Sequence, residues 1–333
     1  MSTQVADDRD LLPSLDEVRE AQELIYSIMQ PTPQLSWPLL NQRLGANIWV
    51  KHENHTPIGA FKARTAIVHV DALLKREKAI RGLITATRGN HGQSVALAGR
   101  RFNVPVTIVV PFANSKSKNA AMRAQGAKLI EFGNDFQESR EYAAKIATEQ
   151  GRHMVPPYHR DFVKGVASYW VELFEAVPDL DVVYVPIGMG SGICAGCAVR
   201  NGMGLKTKIV AVVADGAPCY ALSLEQGRTV AAPVTTNIAD GMACRLPDDD
   251  ALEIIRANVE RVVMVSDEEI RCAMKIYFTD THNVVEGAGA AALAGALKDK
   301  ATLSGKRVGV IATGGNVDPE VFAEVLREPL SAE

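Results

Sequence analysis

The sequence predicts an α/β protein built on parallel β-structure that helices cover on both faces. Its 333 residues alternate continuous apolar segments rich in β-branched residues with amphipathic segments of helical period. Strands of a parallel sheet show continuous apolar runs because helices bury both of their faces. Turn residues separate the segments, as they do in βαβ units. Ligands of such sheets bind beyond the carboxyl ends of strands, so we expect a functional site in the strand-to-helix loops.

The first helix and the first strand are predicted before residue 60. Ser14 and Glu17 form the pattern of a capping box, in which each side chain accepts a hydrogen bond from the other's backbone N–H. The helix that it opens keeps apolar residues at helical spacing through residues 15–30 and stops before Pro31. The segment ANIWVKHEN, residues 46–54, is then predicted to be a strand.

Lys62 stands where the next helix is predicted to begin, after the turn residues of HTPIGAFK. The helix dipole disfavours a positive charge at that end of a helix. An isolated lysine is usually a solvated surface side chain, so a special role for Lys62 depends on the rest of the chain.

Strands and helices then alternate along the chain. The first set comprises strand RGLITAT (81–87), helix NHGQSVALAGRRF (90–102), strand PVTIVVP (105–111), helix SKNAAMRAQG (117–126), strand AKLIEF (127–132) and helix DFQESREYAAKIATEQG (135–151). Four further strands are predicted at DVVYVPIG (181–188), KIVAVVA (208–214), RVVMVSDEEI (261–270) and RVGVIATGG (307–315). This order predicts repeated βαβ units.

The composition excludes several classes of protein. A net charge of -3 with mixed signs gives no basic surface for nucleic acid or an anionic membrane. No apolar run approaches the roughly 20 residues that span a bilayer. The N-terminal segment lacks the apolar stretch of a signal peptide. We therefore expect a soluble cytoplasmic protein without nucleic-acid or membrane partners.

The five cysteines form an odd set in a long chain, which indicates free thiols. Cys194 and Cys197 have the spacing of a redox pair or half a metal site, but no second pair accompanies them. Their segment GICAGCAV is rich in small residues, which favours close helix packing.

The loop PIGMGSGICAG, residues 186–196, follows a predicted strand and opens a helix. Gly188, Gly190 and Gly192 let backbone N–H groups approach an anion at the helix N-terminus, and a phosphate monoester is the expected guest. The G-x-G-x-G spacing also leaves open a Rossmann-type nucleotide-binding oxidoreductase. Against that alternative, the third glycine comes too early for G-x-G-x-x-G.

Three other loops carry polar side chains close to the end of a predicted strand or the start of a predicted helix. TATRGNHGQS (85–94) presents Asn90 and His91, although an Asn-His pair alone is usually a helix cap. ATGGN (312–316) places a hydroxyl, that of Thr313, after the last strand. VVEGAGAAALAGAL (284–297) has Glu286 before a helix of small residues, where a carboxylate also complements the helix dipole.

In this order, these stretches resemble the fold-type II pyridoxal-phosphate enzymes, specifically the serine/threonine dehydratase group. The resemblance runs from about residue 12 to about residue 325. Its motifs are TPQLSW (32–37), KHENHTPIGAFKAR (51–64), GNHGQ (89–93), KNAAMRAQGA (118–127), the glycine loop, NIADGMA (237–243) and TGGN (313–316).

The resemblance implies a tryptophan synthase β-like fold with two open, parallel-type sheets covered by helices. It implies a large cofactor-binding domain of residues 1–75 and 160–333 and a small mobile domain of residues 76–159. Pyridoxal 5'-phosphate would be the cofactor, a small amino acid the substrate and a homodimer the assembly.

The resemblance also assigns roles to residues of this chain. Lys62 would form the Schiff base and act as general base, which explains its position, because a helix N-terminus and a buried cationic site both favour the neutral amine. The phosphate would be held by Gly188, Met189, Gly190, Ser191 and Gly192. The rest of the cofactor would contact Phe61, Asn90, Glu286 and Thr313, with Asn90 at the ring 3-oxygen and Thr313 at the pyridine nitrogen. The substrate carboxylate would be bound by Thr87, Arg88, Gly89 and His91.

The implied reaction is β-elimination of water from a β-hydroxy amino acid of the threonine or serine type, giving a 2-oxo acid and ammonia. Other substrates stay open: 3-hydroxyaspartate, phenylserine or a compound derived from hydroxyectoine. An amino-acid racemase of the same family is a further alternative.

Arg88 departs from the family pattern, which has a small residue there and a serine in serine racemases. A guanidinium is a poor replacement for that serine as an acid and base, which disfavours racemisation. If Arg88 enters the site, it can pair with a carboxylate and favour a dicarboxylic substrate such as 3-hydroxyaspartate. The alternative is that Arg88 points to solvent.

Two accessory features of relatives are not expected here. The acidic metal cluster of some relatives corresponds to ADGAPCY, where only Asp215 is acidic, so we expect no metal site. The chain ends soon after TGGN, so we expect no regulatory domain and a catabolic role. His159 is predicted either to line the site or to lie on the surface.

Overall fold

The computed structural model describes residues 11–77 and 79–329, and it has the predicted α/β architecture. The larger sheet has six strands, which in spatial order are β1 (Gln34–Ser36), β2 (Asn47–His52), β10 (Arg307–Ala312), β7 (Val182–Pro186), β8 (Lys208–Ala214) and β9 (Arg261–Val265). The smaller sheet has four, in the order β5 (Lys128–Glu131), β4 (Val106–Val110), β3 (Leu83–Ala86) and β6 (His153–Met154). Neighbouring strands are parallel, except that the edge strand β1 runs antiparallel to β2.

Helices follow most of the strands. Those before the smaller sheet are α1 (Leu15–Tyr26), α2 (Pro38–Leu44) and α3 (Ala63–Arg76). Those around the smaller sheet are α4 (Asn90–Phe102), α5 (Lys116–Ala124) and α6 (Phe136–Gln150). The remaining helices are α7 (Arg160–Ala176), α8 (Ser191–Gly202), α9 (Cys219–Gln226), α10 (Asp249–Asn258), α11 (Asp267–Thr281), α12 (Gly287–Lys298) and α13 (Pro319–Arg327).

Each sheet has a hydrophobic core on both faces. In β8, Val210 and Val212 face the core that contains α11 and α12, whereas Ile209, Ala211 and Val213 face the core that contains α7 and α8. The smaller sheet packs against α4 on one face and α6 on the other. This burial explains the continuous apolar strands of the sequence.

The predicted strand RVVMVSDEEI is corrected by the structure. The strand ends at Val265, and Ser266 begins a capping box with Glu269 that opens α11. The Ser266 side chain accepts from the Glu269 N–H, and the Glu269 side chain accepts from the Ser266 N–H. These two hydrogen bonds stabilise the start of the helix, so the strand ends before Ser266.

The two cysteines of C-x-x-C lie buried on α8, and both are free thiols. Gly196, between them, is packed so closely against Trp170 that an added Cβ would lie 2.6 Å from the indole. This confirms the predicted role of the small residues in close helix packing. Across residues 11–77 and 79–329, none of the helices combines the length and apolar character needed to cross a membrane.

Candidate active site

Lys62 is the N-cap residue of α3, and its side chain reaches the start of α8. Its Nζ lies 3.4 Å from Ser191 Oγ and 5.0 Å from the centre of the Phe61 ring. Among the described residues no carboxylate pairs with this amine, and burial lowers its pKa to about 8. The backbone N–H of Phe61 donates to the carbonyl of Thr313 at 2.9 Å, which fixes Lys62 beside the loop after β10.

The glycine loop follows β7 and leads into α8, as predicted. A Cβ on Gly188 would lie 2.2 Å from the carbonyl oxygen of Gly241, so only glycine fits this close approach. Gly190 caps α8 with φ of 99°, a conformation that favours glycine. Tyr220 donates its hydroxyl hydrogen to the Met189 carbonyl at 3.0 Å. These contacts fix the conformation of the loop. The first N–H groups of α8 have no acceptor within the helix, so they can bind an anion at its N-terminus.

Asn90 connects the three loops that follow β3, β10 and α11. Its Nδ2 donates to Glu286 Oε1 at 2.6 Å, and its Oδ1 accepts from Asn316 Nδ2 at 2.8 Å. Burial raises the pKa of Glu286, and Lys118 Nζ, at 3.9 Å from Glu286 Oε2, offsets only part of this effect. Asn90 retains one amide hydrogen for another partner.

The loop of residues 87–89 turns sharply before α4. Thr87 Oγ1 accepts from the Gly89 N–H at 3.0 Å. Lys118 lies directly over Gly89, where an added Cβ would meet Lys118 Cδ at 2.8 Å. The Arg88 side chain is 53% exposed, and its Nη1 lies 3.7 Å from Asp240 Oδ1. Arg88 is therefore oriented toward an acidic residue of the larger sheet's loops.

His91 lies behind this loop. Its Nε2 is 3.1 Å from Thr85 Oγ1, and its ring packs 5.8 Å from that of Phe162. Burial, with smaller contributions from Lys62 and His69, lowers the pKa of His91 to about 3. Its contact with a substrate stays a prediction.

A family model described as "Pyridoxal-phosphate dependent enzyme" matches residues 25–314 of the chain. The chain belongs to this family. The L-threonine ammonia-lyase of Thermotoga maritima is 33% identical over 319 residues, which cover 95% of this chain and 79% of the relative. The L-threo-3-hydroxyaspartate ammonia-lyase of Saccharomyces cerevisiae is 35% identical over 318 residues, or 95% and 97% of the two chains. The structure of maize serine racemase aligns with a TM-score of 0.87 and 29% identity over 93% of this chain and 96% of that one.

These comparisons confirm the predicted fold class and the predicted cofactor, pyridoxal phosphate, and they replace the nucleotide-binding oxidoreductase alternative. The geometry fits the cofactor as well. The Lys62 amine, which has no carboxylate partner in the described part of the chain, lies 3.4 Å from the Ser191 hydroxyl at the start of α8. There the helix end and the glycines leave backbone donors for a phosphate. The phosphate of the cofactor would bind the N–H groups at the start of α8, and its aldehyde would react with the Lys62 amine.

Three polar residues of the site were not among the predicted site residues: Asn316, Lys118 and Asp240. Each lies inside a motif that carried the family resemblance, namely TGGN, KNAAMRAQGA and NIADGMA. The polar residues of these motifs could therefore have been predicted as site residues from the sequence. Lys118 Nζ lies 3.6 Å from Asp240 Oδ2, so these two residues join α5 to the loop before α10.

His159 lies at the start of α7, and its Nδ1 accepts the Asp161 N–H at 3.0 Å as a helix cap. With Asp161 and His69 it forms a group whose possible ligand atoms lie within 4.8 Å of one another. The cap occupies the lone pair that a metal at Nδ1 would need. The expectation of no metal site stays a prediction.

Proposed function

We propose that this protein is a pyridoxal-phosphate-dependent ammonia-lyase that converts a β-hydroxy amino acid to a 2-oxo acid and ammonia. The observation that carries the proposal is the Lys62 amine, which lies beside Ser191 at the start of α8 and has no carboxylate partner among the described residues. The two ammonia-lyase relatives, each matching 95% of the chain, support the reaction class.

The proposed roles follow from position. Pyridoxal phosphate, when bound, supplies the electron sink that acidifies the Cα proton of an amino acid. Residues 188–192 would hold its phosphate, and the free amide hydrogen of Asn90 would face its ring. The Thr313 hydroxyl, in place of a carboxylate, would leave the ring nitrogen largely unprotonated. Lys62 would then remove the Cα proton, since burial places its pKa at about 8.

The Thr87–Gly89 loop would bind the substrate carboxylate through the Arg88 N–H and the Thr87 hydroxyl hydrogen, because the Thr87 N–H already donates to the Val109 carbonyl at 3.1 Å. The Gly89 N–H already donates to Thr87 Oγ1, which fixes the turn. Lys118 covers this turn and adds a positive charge near it. A carboxylate bound there would lie close to Lys62 and to the Asn90–Glu286 pair.

A dicarboxylic substrate such as 3-hydroxyaspartate is the preferred candidate among the β-hydroxy amino acids. Asp240 lies between Arg88 and Lys118, at 3.7 Å and 3.6 Å, so two cations flank one protein carboxylate. This group lies at the edge of the cleft, by which we mean the space between the loops of the two sheets. These long distances leave both cations able to pair with the second carboxylate of a substrate.

Incubating the cofactor-loaded protein with both threo and erythro forms of threonine and 3-hydroxyaspartate, and with serine and phenylserine, tests the proposal. We expect ammonia and the matching 2-oxo acid in equal amounts from at least one substrate, and none from Lys62→Ala. Chiral analysis of the remaining amino acid identifies a racemase, which would invert it without releasing ammonia. A protein that carries the cofactor but releases ammonia from none of them would refute the proposal.

A further inference from the structure

Tyr169 is a fully buried residue of α7 whose hydroxyl has no hydrogen-bond partner among the described residues. Buried polar groups are nearly always hydrogen-bonded, and an unsatisfied hydroxyl is destabilising. Where such a group borders a candidate ligand site, the ligand can supply the missing partner.

The hydroxyl points to the start of α8. Its oxygen lies 3.7 Å from the position that a Cβ on Gly192 would take, and the next nearest atom to that position is Phe61 Cε2, at 4.0 Å. Gly192 is the second residue of α8 and retains some exposure, whereas Tyr169 has none. The hydroxyl thus borders the space in front of Gly192, next to the Phe61 ring.

The Tyr169 ring is fixed on three sides. It stacks on Trp170 at 5.4 Å and meets Phe61 edge-on at 6.4 Å between ring centres. The guanidinium carbon of Arg64 lies 5.8 Å from the ring centre. These contacts leave the hydroxyl little freedom to find a partner elsewhere.

The polar neighbours of Tyr169 are already engaged. The single N–H of Trp170 donates to the Gly192 carbonyl at 2.8 Å. The Arg64 guanidinium donates to Glu53, Ser168 and Glu172. Burial, and then the negative charge of Glu53, raise the pKa of Tyr169 well above 10.0, so the hydroxyl is a neutral donor.

We infer that the Tyr169 hydroxyl donates a hydrogen bond to the phosphate group of the cofactor bound at the N-terminus of α8. A phosphate oxygen is the acceptor that this buried donor lacks, and hydrogen bonds to charged oxygens are stronger than neutral ones. Tyr169 would add a side-chain donor to the backbone N–H groups of residues 188–192. The inference rests on the proposed cofactor site but not on the ammonia-lyase reaction.

Tyr169→Phe removes the hydroxyl and keeps the ring packing. We expect its dissociation constant for pyridoxal phosphate to rise at least tenfold, whereas its affinity for pyridoxal, which lacks the phosphate, stays unchanged. Inorganic phosphate should raise the unfolding temperature of the parent apoprotein and raise that of Tyr169→Phe much less. The apoprotein of Tyr169→Phe should be at least as stable as the parent apoprotein.

Tyr277→Phe is the matched control, because the Tyr277 hydroxyl is also buried without a partner among the described residues but lies on α11, in the core around α12. It should bind pyridoxal phosphate and inorganic phosphate like the parent. Equal binding of both ligands by Tyr169→Phe and the parent would overturn the inference.

A second measurement observes the hydroxyl of the parent protein itself. In parent apoprotein labelled with 13Cζ-tyrosine, inorganic phosphate should shift the Tyr169 resonance, which is the one missing from the spectrum of Tyr169→Phe. An unchanged resonance at saturating phosphate would overturn the inference. Because these readouts involve no turnover, a failure of the proposed ammonia-lyase activity would leave them interpretable.

Discussion

At the scale of single residues, Lys62 shows how the fold prepares an amine for covalent attachment. A lysine in water has a pKa near 10.5, and burial in the cleft lowers that of Lys62 to about 8. A lowered pKa enlarges the neutral fraction, the form that reacts with an aldehyde. The surrounding protein, rather than a neighbouring cation, has the largest effect on this pKa.

The first prediction concerns the pH dependence of cofactor attachment. The rate at which apoprotein attaches pyridoxal phosphate should rise about tenfold per pH unit below the pKa of Lys62 and level off above about pH 8. Stopped-flow absorbance of the lysine-bound cofactor between pH 6 and pH 10 measures it, using rates corrected for the cofactor's own titration. A rate that keeps rising to the usual lysine pKa would mean that burial has not activated this amine.

Arg88 gives a second prediction, on substrate choice. Arg88→Gln should lower kcat/KM for 3-hydroxyaspartate about tenfold, because a charged hydrogen bond to the second carboxylate is lost, and should change that for threonine less than about twofold. Steady-state kinetics with both substrates measures the difference. Arg100→Gln, on the exposed face of α4, is the control and should change neither value. An equal loss for both substrates would contradict a role in selecting a dicarboxylate.

The residues of the site differ in how far the sequence predicts them. Lys62 and the glycine loop carry local signals, namely a cation at a helix start and glycines after a strand. The contacts of Arg88 with Asp240, and of Asn90 with Asn316, form only when distant loops meet. A local sequence pattern carries no information on contacts between distant loops. Those partners could be predicted only from the order of the motifs that the chain shares with the family.

At the scale of elements, a buried ion cluster holds β2, α3 and α7 together beside Lys62. Arg64 pairs with Glu53 and Glu172, and Lys51 also donates to Glu172 at 2.6 Å. Burial alone would raise the pKa of Glu172, but Arg64 and Lys51 hold it below its usual range. The cluster fixes the start of α3, and therefore the position of Lys62.

Glu172→Gln should lower the free energy of unfolding by about 3 to 5 kcal/mol, because it leaves buried cations without their partner. Urea denaturation of the apoprotein measures the change. Glu175→Gln, on the same helix, breaks a solvent-exposed pair with Arg19 and should cost less than about 1 kcal/mol. Similar losses in the two variants would show that the buried cluster contributes no more than a surface pair.

Strands were predicted best where burial is greatest. β3 and β4 are buried throughout, and their apolar runs predict them without ambiguity. The three residues of β1 and the two of β6 show no such run, because neighbouring strands and not side-chain burial define them. Short edge strands are therefore the elements that sequence patterns miss.

At the scale of the whole molecule, polar contacts join the loops of the smaller sheet to those of the larger sheet across the cleft. The Asp318 carboxylate accepts from Ser115 at 2.7 Å, and Asn316 donates to Asn90 at 2.8 Å. The strands of the smaller sheet lie in residues 83–154, inside the small domain of residues 76–159 that the family resemblance implies. Each of these part-buried hydrogen bonds contributes modestly to stability, so we expect that one sheet can move against the other.

The last prediction is that a bound amino acid closes this cleft. 2-Methylserine lacks the Cα proton and cannot undergo elimination, so it should occupy the site without reacting. Its carboxylate would bridge the Thr87–Gly89 loop to the larger sheet and slow amide exchange in α5 and in residues 111–115, while exchange in α11 stays constant. Hydrogen-exchange mass spectrometry with and without the ligand measures this, and Lys62→Ala, which cannot attach the cofactor, serves as control. Unchanged exchange in α5 at saturating ligand would mean that the smaller sheet does not move on binding, because closure must protect the amides that line the edge of the cleft.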